Sequence, residues 1–174
     1  TTRRQILQAS AAALTLGSLS PLLAAPLINP LEQTLLPKGK KQRVVILGGG
    51  WGGLSTARHL QAQAPQLEVV VLERNPVFWS CPLSNKWLID VVPTEQLLHS
   101  YTAAARKYGY TFVQTEITQI DRYKRRVHTA QGYVEYDWLV VSAGIRVAYD
   151  SWVGGERAAV EHIKSHYASA YIPS

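Results

Sequence analysis

Residues 43–73 confine this chain to a small set of folds. Arg43-Val44-Val45-Ile46-Leu47 is a nearly continuous β-branched apolar run, the pattern of a buried parallel strand. Gly48-Gly49-Gly50-Trp51-Gly52-Gly53 follows at once, and Leu54, Ala57 and Leu60 then keep helical spacing to about Gln63. Ala64-Pro65 ends the helix, Leu67–Leu72 reads as a second strand, and Glu73 stands at its end. Gly48, Gly50 and Gly53 have the G-x-G-x-x-G spacing, with Gly52 inside the same turn. The first glycine of such a set allows the tight turn, the second lets backbone approach a pyrophosphate, and the third lets helix and strand pack closely. The helix start offers free N–H groups and partial positive charge to phosphates. Glu73 lies 20 residues beyond Gly53, where a carboxylate can hydrogen-bond a ribose diol. A carboxylate there repels a 2′-phosphate, which disfavours NADP and leaves FAD and NAD open.

A second segment narrows that choice. Asp137–Val141 reads as a buried strand that ends in the small turn Ser142-Ala143-Gly144. Flavin-binding oxidoreductases with two dinucleotide domains carry a similar segment, usually ending Ala-Thr-Gly, whose small residues admit the cofactor closely. The pair of motifs points to FAD. Between them, Pro93-Thr94-Glu95 is expected to open a helix with Leu97, Leu98, Tyr101 and Ala105 on one face, closed by Gly109. Residues 110–114 and 115–121 read as strands, and 126–129 and 133–136 as a hairpin around Gln131-Gly132. The basic run Arg122–Arg126 reads as a solvated turn, with docking of an acidic protein as the other use. Phe78, Trp79 and Trp87 are assigned to the core, with a flavin edge as the alternative.

The 174 residues suffice for one domain with a real core. The net charge of +6 is concentrated at the front. Of the 18 cations and 12 anions, residues 1–40 hold four and one, leaving 14 against 11 in the body. That balance gives no ground for a nucleic-acid partner. A single cysteine, Cys81, excludes an internal disulfide framework, and five histidines without ligand spacing suggest no metal.

The first forty residues read as an export signal and linker. Arg3-Arg4, then an apolar stretch from Ala11 to Ile28 broken by Pro21 and Pro26, make a twin-arginine signal. It is too short and too interrupted for a transmembrane helix. Residues 29–42, with Pro30, Pro37, Gly39 and three lysines, read as the linker, with cleavage expected somewhere in 24–40. That route exports folded, cofactor-loaded proteins, so a periplasmic location is expected, without stable membrane insertion.

Arg74-Asn75-Pro76-Val77-Phe78-Trp79-Ser80-Cys81-Pro82-Leu83-Ser84-Asn85 carries the most particular signal. Together with Val44–Gly53, Glu73 and Asp137–Gly144, it resembles the flavoprotein subunit of flavocytochrome c sulfide dehydrogenase, in the wider sulfide:quinone oxidoreductase group. The likeness covers about residues 41–172. It implies an α/β fold: a Rossmann-like FAD-binding domain of the two-dinucleotide-domain flavoprotein type, spanning 41–174 and truncated after its N-terminal part. In that family the cysteine of Cys-x-Leu-Ser-Asn binds FAD through an 8α-S-cysteinyl thioether, which carries over to Cys81. An inert buried thiol and a redox thiol are the other readings of a lone cysteine. In the wider group a residue placed like Ile117 holds adenine through its backbone; a plain strand residue is the alternative. The implied cofactor site is therefore Gly48, Gly50, Gly52, Gly53, Glu73, Arg74, Cys81, Ile117, Ala143 and Gly144.

The reaction implied is oxidation of sulfide, or a related reduced sulfur compound, with electrons passing from FAD to a c-type cytochrome subunit. The family's redox-active cysteine pair lies in a part of the sequence beyond that matched here, so no catalytic residue is assigned. The chain alone is expected to be inactive. A sulfide:quinone oxidoreductase or type II NADH dehydrogenase-like enzyme is the first alternative. A non-catalytic, exported dinucleotide-binding module is the second.

Overall fold

The computed structural model describes residues 32–145 and 147–167. The export signal read at the front of the chain lies outside them. At the centre is a four-stranded parallel sheet in the order β5-β2-β1-β9, built from β1 (Arg43–Leu47), β2 (Glu68–Glu73), β5 (Thr111–Gln114) and β9 (Trp138–Val141). Every residue of β1 is buried, as its unbroken apolar run requires of a strand covered on both faces.

Side-chain alternation sorts this sheet into two cores. Val44, Ile46, Val69 and Val71 face α1 (Trp51–Gln63) and α3 (Tyr101–Tyr108), packing with Ala57, Ala105 and Tyr110. Val45, Leu47, Val70 and Leu72 face an antiparallel meander with Val127, Val134 and Tyr136. The meander is β6 (Ile117–Asp121), β7 (Arg126–Thr129) and β8 (Gly132–Glu135). The result is three layers: helices, parallel sheet, antiparallel sheet. This confirms the α/β class and the Rossmann-like arrangement, with α1 beginning at Trp51, three residues before the apolar periodicity does.

Two segments differ from expectation. The single helix expected from Pro93 is instead a 3-10 turn (Thr94–Gln96), a short strand β4 (Leu98–Ser100) and then α3. Leu97 is buried, but β4 pairs antiparallel with β3 (Val77–Trp79), which pulls Leu98 out of the helical face and leaves it exposed. Ser100 then caps α3 by accepting from the Ala103 N–H at 3.2 Å, and left-handed Gly109 closes it.

The stretch read as linker is docked at its centre. Thr34 bridges Tyr133, the Leu35 N–H donates to Tyr133 O at 2.8 Å, and the Tyr133 N–H donates to Gln33 O at 2.8 Å. Leu35 and Leu36 enter the meander core. The buried guanidinium of Arg43 fastens this segment. It donates to Leu36 O at 2.9 Å, to Pro37 O at 2.7 Å and to both Glu68 carboxylate oxygens at 2.9 Å. A charged residue opening a strand reads from sequence as surface; here it is the hub of that sheet end.

Candidate functional site: a cleft at the sheet's switch point

From β1 the chain builds outward through β2 and β5, then returns to add β9 on the other side of β1. The strand order therefore reverses at β1, and ligands of open α/β sheets bind outside the strand ends at such a point. The glycine loop after β1 and the Ser142-Ala143-Gly144 turn after β9 meet there. The Ser142 N–H donates to Leu47 O at 2.8 Å, and the Gly48 N–H to Leu72 O at 2.9 Å. Gly48 has φ +101, and a Cβ on it would lie 2.3 Å from Ser142 O. A Cβ on Gly53 would lie 2.0 Å from Gly48 O. Neither position tolerates a side chain: the first because of turn and close approach, the second because helix and strand touch.

The start of α1 suits an anion. Its N-cap, Gly50, supplies no side-chain cap, and its first turn carries no acid. The first N–H groups of the helix therefore meet no intrahelical or capping partner. A Cβ on Gly50 would meet nothing within 4 Å, so the approach is open there. Ser142 Oγ sits 2.7 Å from where a Cβ on Gly52 would be, placing a hydroxyl over this first turn.

Glu73, at the end of β2, is fixed by three donors. Its carboxylate accepts from the Gly49 N–H, the Asn75 N–H and the Asn75 side-chain amide, each at 2.8 Å. An ionised carboxylate has about four acceptor positions, so roughly one remains. A ribose diol engaging Glu73 with both hydroxyls must displace the Asn75 amide. Tyr101 lies beneath this arrangement, with its ring 2.7 Å from a Cβ position on Gly49 and stacked on Phe112 at 4.7 Å. Burial, and secondarily the Glu73 charge, push its phenol above the ordinary tyrosine range, so the ring stays neutral against the carboxylate. Asn75 and Tyr101 were not legible as site residues; their only signal is position, two residues past Glu73 and at the start of α3.

A cleft of about 930 Å³ opens beside these groups, within the range of small-molecule sites. Of the residues expected to hold a cofactor, Gly48, Glu73, Arg74, Ile117, Ala143 and Gly144 line it. Gly50, Gly52 and Gly53 form the adjoining helix start. A pocket of this size, an uncapped helix N-terminus and a fixed carboxylate fit an adenine dinucleotide.

Cys81 does not line the cleft. It begins a 3-10 turn (Cys81–Leu83) at half-burial and is followed by α2 (Ser84–Leu88). Ser84 Oγ donates to Cys81 O at 2.5 Å, and the Trp79 and Trp87 rings meet edge to face at 5.1 Å. The β3 hairpin leading to Cys81 abuts the glycine loop: Phe78 is buried, and Trp51, the first residue of α1, packs edge-on against it at 5.5 Å. Phe78, three residues before Cys81, thus meets the first residue of α1. Among the described residues, no cluster of histidine, cysteine and acids could hold a metal ion.

Residues 42–172 match the family model of pyridine nucleotide-disulphide oxidoreductases. The chain belongs to that family. This is an oxidoreductase family whose members bind FAD or NAD(P), and the fold here is its Rossmann-like dinucleotide domain. A type II NADH:quinone oxidoreductase of Staphylococcus saprophyticus is 32% identical over 106 residues, covering 60% of this chain and 26% of its own length. The sulfide:quinone oxidoreductase of Aquifex aeolicus superposes with a TM-score of 0.59 at 27% identity, covering 62% of this chain and 25% of that one. The NAD-dependent persulfide reductase of A. fulgidus shares the fold, with a TM-score of 0.57 at 22% identity, covering 62% of this chain and 22% of that one. The chain thus spans about a quarter of the length of the family proteins it matches.

Proposed function

We propose that this chain is the FAD-binding part of an exported, periplasmic flavoprotein that oxidises sulfide or a related reduced sulfur compound and passes electrons to a c-type cytochrome subunit. The observation that carries the reading is the cleft at the switch point, lined by Gly48, Glu73, Arg74, Ile117, Ala143 and Gly144. The Cys-x-Leu-Ser-Asn segment follows the strand whose Phe78 packs on Trp51 at the helix end suited to a pyrophosphate. The chemistry supplied by a bound FAD would be uptake of two electrons and their release one at a time. This chain's own residues bind and orient the FAD: the α1 N–H groups take the phosphates, Glu73 takes the ribose, Ile117 borders the adenine end, and Cys81 supplies the thioether. A covalent bond prevents cofactor loss in a compartment where FAD is not made. The twin-arginine signal in residues 1–28 supports the location.

Reduction of quinone is the second reading, favoured by the names of the Staphylococcus saprophyticus relative and the Aquifex aeolicus structure. Electron-acceptor assays on the protein purified from its native source separate the two. Sulfide-dependent reduction of a c-type cytochrome, with a soluble quinone analogue left oxidised, is the expected result. Quinone reduction with no cytochrome reduction overturns the cytochrome assignment.

A further inference from the structure

The motif residues account for only part of the cleft lining. Beside Leu72, Asn75, Thr115, Glu116 and Ile145, the lining includes Val147 and residues of α4 (Tyr149–Trp152), α5 (Arg157–His166) and its C-cap Tyr167. Neither the glycine spacing nor the Ser-Ala-Gly turn assigns these residues a role.

Their arrangement is specific. Val160 and Lys164 stand at i and i+4 of α5, Tyr167 follows as its C-cap, and all three line the cleft. Tyr167 ends the helix in extended backbone, its N–H donating to Ile163 O at 3.1 Å. Tyr149 also lines the cleft, its ring set edge-on against Trp152 at 5.4 Å. The helix has an apolar stripe, yet none of its residues is buried. Val160 and Tyr149 are half-buried, and Tyr167 is exposed. Apolar side chains held at a concave surface and left partly wet gain stability when a flat apolar group covers them. This wall continues the cleft that holds Glu73 and Ile117, so the group that reaches it is the purine of the same dinucleotide.

We propose that the α4–α5 hairpin is the adenine wall of the cofactor site, with Val160, Tyr149 and Tyr167 packing on the purine and the methylene stem of Lys164 extending that surface. The proposal rests on the dinucleotide reading of the cleft.

Calorimetric titration of the 174-residue chain with ADP, which carries adenine, ribose and pyrophosphate, tests it. FAD is titrated in parallel, and thermal melting checks each variant. Val160→Asp is expected to weaken ADP binding by about tenfold or more, because a carboxylate replaces apolar surface against the ring. Val160→Leu is expected to bind within about threefold of wild type. Tyr149→Ala serves as the deciding variant if Val160→Asp does not fold, with a loss of about fivefold or more expected. Wild-type binding that is unchanged in Val160→Asp and Tyr149→Ala overturns the adenine wall alone. A wild-type chain that binds neither ADP nor FAD overturns the dinucleotide reading, and the adenine wall with it.

Discussion

Asp137 shows how one side chain joins sequence to fold. Its carboxylate accepts from the Arg43 backbone N–H and from Lys38 Nζ, each at 2.7 Å, tying the start of β9 to the start of β1 and to the docked N-terminal segment. The Lys38 hydrogen bond, then the Arg43 N–H, hold its carboxyl below the ordinary carboxylate range. A depressed folded-state value means stabilisation that is complete above the unfolded value of about 3.9 and is lost as pH falls through the folded one. Asp137→Asn is expected to cost about 1 kcal/mol at pH 7. The gap between wild type and variant in urea midpoint should close below about pH 4. A gap that is constant from pH 7 to pH 3 would show that the charge contributes nothing. Of the site residues, Gly48, Gly53 and Glu73 were legible because their spacing reports a backbone requirement. Arg43, Asn75 and Tyr101 were not, since what they do depends on partners distant in sequence or on a loop whose path the sequence does not specify.

At the scale of elements, strands and the first helix follow from local pattern, whereas short pairings do not. The periodicity of Leu97, Tyr101 and Ala105 is helical, but the pairing of β4 with β3 interrupts it, a tertiary override of a local preference. The same holds for residues 33–37, part of the stretch 29–42 whose prolines and lysines read as linker, while the edge of β8 holds them through a bridge between Thr34 and Tyr133. Gly132 makes that docking possible. It has φ +145, and a Cβ there would lie 2.2 Å from Gln33 O. Gly132→Ala is therefore expected to expel the segment, removing Leu35 and Leu36 from the meander core. Hydrogen exchange at the Leu35 amide, which donates to Tyr133 O, should quicken by about tenfold or more. An unchanged exchange rate would mean that the segment is held without this close approach. If export and processing follow the proposed route, cleavage falls ahead of Gln33, since losing the docked segment would break the Gln33 and Leu35 backbone bonds to Tyr133 and strip the Arg43 guanidinium of the Leu36 and Pro37 carbonyls.

Across the described residues, the parallel sheet places its cleft-facing groups at one end and its structural hub, Arg43 with Asp137 and Glu68, at the other. That separation lets the cleft end carry open glycine backbone and a helix terminus without side-chain capping. The β9 edge keeps Trp138 and Val141 more than half exposed, at 61% and 65%. No helix among the described residues is long and apolar enough to cross a membrane. The proposed function depends above all on FAD seated at the glycine loop and bonded to Cys81. Acid precipitation of the protein from its native source, followed by absorbance and peptide mass analysis of the pellet, tests it most directly. Flavin that stays with the pellet and maps to the peptide containing Cys81 is the predicted result. Flavin released wholly to the supernatant, or absent from both fractions, would contradict it.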